Sequence, residues 1–190
     1  MPLTIEPLPD GAAQVVDATI VELVSHGGIA IASSAAPTVA TPLPVYHIGA
    51  DAIAARRGLA AATHVGWIAT VRNGSEVMGS LELVPNQEFN ATAPVSFGSF
   101  AQGPLHKGIA GAVDLAGQRV GTKPVRARLL RAPAVYFLAL WLTDGATDTL
   151  IPIGPAPAPL ASGQPIAAAE ALIRLADAAA LALAGPQPRR

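Results

Sequence analysis

The sequence predicts an α+β fold: a single domain over residues 1–190, in which a curved antiparallel sheet of about four to six strands carries helices packed on one face. Three observations point there. Thr63–Val84 holds two extended apolar runs around Asn73-Gly74, a dipeptide that tolerates the positive φ of a tight hairpin turn. Arg131–Gly145, RAPAVYFLALWLTDG, contains a continuous apolar run stopped by Asp144-Gly145. It is far shorter than the ~20 residues of a membrane-spanning helix and is rich in β-favouring side chains. Helical patterns are interleaved with these antiparallel pairs, without the regular alternation of a βαβ protein.

Taken in order, residues 1–10 form an extended N-terminal arm, after which Asp10 is placed to cap a helix. Val16, Ile20, Leu23 and Val24 follow helical spacing there, and Gly27-Gly28 supplies the stop; the β-branched content leaves a strand as the alternative. Ile29–Pro44 carries three prolines in its second half and reads as an irregular or edge-strand crossing. Gly49–Ala62 is an alanine-rich helix opening at Asp51. In the hairpin, setting Arg72 opposite Ser75 puts Ile68 and Thr70 on one face with Val77, Leu81 and Leu83. Trp67, Val71 and Met78 then share a mixed second face with Glu76 and Glu82, suited to packing on a helix or another subunit.

Pro85–Phe100 is rich in turn residues, with a short strand near Val95–Phe100. A helix starts near Gly103-Pro104 and ends by Gly117 or Gly121, its glycines explained by close helix-on-sheet contact. Val125, Ala127 and Leu129 alternate with Arg126, Arg128 and Leu130 in a half-exposed strand. Ala134–Leu142 is the central strand, covered on both faces, and TDTLIPIG returns as its antiparallel neighbour. A Pro-Ala connector leads to a final helix, Ala167–Gly185, with a narrow polar stripe of Glu170, Arg174 and Asp177 and nearly all of the rest buried; residues 186–190 are a disordered tail.

Composition excludes several functions. Charged residues make up 13% of the chain, against ~25% in an average soluble protein, so a solvated surface is short of its usual side chains. Cover by another copy or a protein partner is the expected remedy. With 12 basic and 13 acidic residues no long-range field steers the chain to nucleic acid or anionic membrane. The absence of cysteine removes disulfides, thiolate metal sites and Cys nucleophiles together. The N-terminus MPLTIEPLPDG lacks the charged and apolar regions of a signal peptide, and a cytoplasmic location is the expectation.

Candidate chemistry is sparse. His26, His47, His64 and His106 show no i+3 or i+4 spacing, so no metal site and no cofactor are expected. His47 stands four residues before Asp51, which on a helix lets a carboxylate orient an imidazole, and Ser96 or Ser99 would complete a nucleophilic triad. Glu76 and Glu82, six residues apart on one strand, lie about 20 Å apart, too far for paired-carboxylate catalysis. At the start of the Gly103-Pro104 helix His106 and Lys107 could serve a generic anion site. Catalytic candidates are therefore His47, Asp51 and His106, with Asp114 a further carboxylate, and interface or pocket candidates are Trp67, Met78, Tyr136, Phe137 and Trp141. Whether the chain is an enzyme stays open. The expected function is a non-enzymatic protein-interaction or self-assembling role as a homo-oligomer or with a protein partner; the alternative is a small-molecule-binding protein or hydrolase-like enzyme with a pocket between sheet and helices.

Overall fold

The computed structural model describes residues 3–29, 36–40, 42–87, 93–119 and 124–185. Among them ten strands, mostly antiparallel, and four helices make an α+β fold, with more strands than the four to six expected. The expected tail at 186–190, part of the Ile29–Pro44 crossing and part of the turn-rich Pro85–Phe100 segment lie outside the described residues. The chain falls into two compact units: Met1–Thr4, Val45–His64 and Ala112–Arg190 form the first, and Ile5–Pro44 with Val65–Gly111 the second.

In the first unit the strands are β1 (Leu3–Ile5), β3 (Leu43–His47), β7 (Val125–Ala132), β8 (Phe137–Thr143), β9 (Asp148–Pro152) and β10 (Ile166–Ala167), in the order β10-β9-β8-β7-β3, with β1 also on β7. The helices are α2 (Ala50–Ala54), α4 (Ala168–Ala184) and the second half of α3 (Pro104–Arg119). β3 and β7 run parallel, Val45 opposite Leu129, an exception to the antiparallel expectation. A parallel pair needs a long crossover, which the residues between these strands provide.

The apolar run of β8 is buried as expected, but it begins later. Pro133–Val135 forms a 3-10 turn and Tyr136 adopts a left-handed conformation, so β-structure starts at Phe137. Pro133 cannot donate to a strand ladder, and the pairing of Ala132 with Phe137 requires the chain to reverse there. Successive β8 residues serve two cores. Phe137, Ala139 and Trp141 pack with Leu130, Leu150, Ile53, Leu172 and Leu175 under α2 and α4. On the opposite face Leu142 and Ile151 meet Ala116 of α3 in a shared cleft. Every β8 residue from Phe137 to Trp141 is buried, so both faces of this strand are covered.

The second unit contains β2 (Thr38–Val39), β4 (Thr63–Asn73), β5 (Glu76–Pro85) and β6 (Val95–Ala101), with β5 between β4 and β6 and β2 on β4. Its helices are α1 (Ala12–Ser25) and the first half of α3. α1 starts from Gly11 at φ 86 without a side-chain cap, so Asp10 does not have the capping role expected of it. It stops as expected, with the Gly28 amide donating to the Leu23 carbonyl over 2.8 Å.

The hairpin forms, but in another register. Asn73 pairs with Glu76, leaving Gly74-Ser75 as the loop, and an irregularity between Val71 and Arg72 then sets Val71 opposite Gly79 and Trp67 opposite Leu83. A one-residue slip exchanges the faces of a strand. Ala69, Val71, Leu81 and Leu83 therefore form the core face against Ala12 and Val16 of α1, with Trp67 and Met78 half-buried beside them. The mixed face on which Trp67, Val71 and Met78 were expected does not form. Gly66, at φ 151, accommodates a close crossing: a Cβ there would stand 2.2 Å from the Leu83 carbonyl oxygen.

Candidate functional site

Alternation along the first unit's strands brings Tyr46 of β3, Arg128 of β7, Trp141 of β8 and Asp148 of β9 to one end of the α2/α4 face. The Arg128 guanidinium carbon lies 5.0 Å from the Tyr46 ring centre and 5.1 Å from that of Trp141. The two rings meet edge-on at 5.4 Å, and the exposed His64 ring stands 5.3 Å from Tyr46. Trp141 Nε1 donates to Asp148 Oδ1 over 2.8 Å. Each ring holds the cation with about 0.5–2 kcal/mol, enough to lock the Arg128 side chain over the end of the core. The cluster is filled by its own side chains and closes the core.

A concave surface lies on the opposite face. An open cleft of about 370 Å³ is lined by Ala116, Val125, Leu142 and Ile151, with Arg119, Thr147 and Thr149 among its polar residues. This volume falls in the range of small-molecule sites, ~300–1,000 Å³, and the mix of apolar walls with a few polar anchors is theirs. Asp144, also at the cleft, accepts the Ala146 and Thr147 amides over 2.9 and 2.7 Å and so shapes the β8–β9 turn.

The connection from β7 to β8 carries an exposed aromatic. Tyr136, at φ 52 and ψ 37, is 89% exposed. A left-handed conformation costs a bulky residue on the order of 1 kcal/mol, and the ring recovers none of this in the core. α4 packs against this 3-10 turn. Its core stripe of Ala168, Ala171, Leu172, Leu175, Ala176 and Ala179 would continue at Ala182 and Leu183, yet the helix from Ala180 on is exposed, Leu181 and Leu183 included. Near-complete burial was expected for this helix; in fact Ile173 on its outer face is also in solvent.

In the second unit, β5 and α3 build a pair that sequence spacing hid. Ser80 Oγ and His106 Nδ1 share a hydrogen bond, with the residues 3% and 8% exposed. A Ser–His contact is the first step in activating a nucleophile. Here both partners are covered, so the hydroxyl is not presented to a substrate, and the bond satisfies two buried polar groups. Only folding brings together residues 26 positions apart, and no local motif marks them.

The sequence-predicted residues do not converge. His47 ends β3 and Asp51 lies in the first turn of α2, so the helical i, i+4 relation between them is absent. The Asp51 carboxylate, exposed, is paired with the Arg57 guanidinium. His106 belongs to the second unit, and its burial separates it from the exposed Lys107, so the anion site expected at the start of α3 is not assembled by these two donors. Ser99 Oγ donates to Glu82 Oε2 over 3.2 Å, Ser96 lies on the same strand, and Asp114 is exposed on α3. Phe137 and Trp141 are core residues, whereas Tyr136 faces solvent.

Among the described residues no group of three or more His, Asp or Glu side chains could hold a metal ion, and no helix is long and apolar enough to cross a membrane. No protein-family model matches the chain, and no curated protein or solved structure is significantly similar to it.

Proposed function

We propose that this chain is a non-enzymatic protein that acts by self-association. The observation that carries this reading is Tyr136: a large aromatic ring held at 89% exposure in a left-handed conformation that adds nothing to the core. Large rings bury much area at low entropic cost, which makes them effective anchors in protein interfaces. Leu181 and Leu183, on a helix packed against the same turn, are also exposed, and the 13% charge content is in keeping with a chain whose surface is partly covered. Sedimentation velocity over a wide concentration range tests this. The expected result is a mass rising above the 19.2 kDa of one chain, with a smaller rise in Tyr136→Ser. A wild-type chain that stays at single-chain mass throughout would refute it.

The cleft beside Arg119 supports a second reading, binding of a small amphipathic molecule with its apolar part against Leu142 and Ile151. Thermal-shift titration separates the two, because a ligand that binds only the folded chain raises its midpoint independently of self-association. Loss of that shift in Arg119→Ala would place the ligand in the cleft.

A further inference from the structure

The second unit ends at β6, which pairs with β5 alone among the described residues. Such an edge offers unpaired backbone N–H and C=O groups to another strand, and proteins usually blunt it with charge, proline or a covering element. The strand itself, VSFGSFA, contains neither charge nor proline. Its one structural irregularity falls opposite Glu82 and Leu83, where Gly98 stands beside the Glu82 carbonyl.

Side-chain placement gives the edge an apolar anchor. Val95 and Phe97 lie opposite Pro85 and Leu83, on the side of the sheet that α1 covers. Val95 is buried there, but Phe97 remains 44% exposed. We infer that β6 pairs antiparallel with β6 of a second copy of this chain, about a two-fold axis at Phe97, an interface that rests on the self-association proposed above. A two-fold axis perpendicular to the sheet keeps the faces in register, so the two Phe97 rings become direct cross-strand neighbours on the same face. The strand VSFGSFA carries no charge, so no like charges meet along the pairing. A different acidic or basic partner would find no charge on this strand to recognise, whereas a second copy matches its neutral character and brings an identical exposed ring.

The test exchanges charge at the axis. Phe97→Lys and Phe97→Glu each set like charges opposite one another, and circular dichroism checks that both remain folded. Each variant is expected to raise the concentration needed for assembly at least about tenfold, and an equimolar mixture is expected to restore assembly towards the wild-type level. In the wild type, amide exchange over Val95–Ser99 is expected to slow as concentration rises. If the wild type assembles but both variants assemble equally well, the β6 interface is overturned while self-association stands. A wild type that never assembles removes both.

Discussion

Replacing Ser80 by Ala tests whether the Ser80–His106 pair is a structural bond or a reactive one. The substitution deletes the oxygen that meets His106 Nδ1 at a site where the two residues are 3% and 8% exposed. Water cannot readily take the place of that oxygen, so the imidazole loses a partner in an environment that penalises the loss by about 1–3 kcal/mol. For a chain of this length each kcal/mol lowers the melting midpoint by ~2–4 °C, which gives a fall of roughly 2–12 °C. Urea and thermal unfolding followed by circular dichroism read this directly. His106→Leu should cost a similar amount, while the double variant, with both partners apolar, should lose less than the sum by about 0.5–3 kcal/mol. A fluorophosphonate probe should leave Ser80 unlabelled. Additive single losses, losses below ~0.5 kcal/mol, or covalent labelling of Ser80 would each refute the structural reading.

Gly66→Ala places a methyl group 2.2 Å from the Leu83 carbonyl oxygen at a backbone φ of 151, so β4 and β5 must part locally. A loss of about 2 kcal/mol or more is expected in the urea midpoint, and full stability would contradict the close crossing. Trp141→Phe keeps most of the bulk in the core but removes the Nε1 donor to Asp148. It should cost about 1–2 kcal/mol, against ~3–5 kcal/mol for Trp141→Ala, and a loss below ~0.5 kcal/mol in Trp141→Phe would show that the indole hydrogen bond contributes nothing.

Elements with a strong local period were legible. The apolar run reads as interior strand because neither face tolerates a polar residue, and β8 is buried from Phe137 to Trp141. β9 returns beside it after the Asp144-Gly145 turn, α1 stops at Gly27-Gly28, and α3 and α4 start within a residue of where they were expected. The hairpin shows where local reading fails. Asn73-Gly74 marks a turn, but the irregularity beside Val71 is a compromise between two paired strands, and it decides which of Val71 and Thr70 enters the core under α1. Candidate sites fared less well for a similar reason. His47 and Asp51 are near in sequence and were joined on an assumed helix, whereas the hydrogen bond that forms is between Ser80 and His106.

What the sequence determined by itself is the inventory: which stretches must leave water, where the chain turns, and that few charges remain to cover the outside. Tertiary structure decided which faces those stretches share, how Tyr46, Arg128 and Trp141 come to stack, and that Tyr136 and Phe97 are left in solvent. The difference is physical. Burial and turn preference belong to each residue and its near neighbours, but register, pairing and exposure depend on segments distant in the chain, whose relative positions are settled only when the whole core packs.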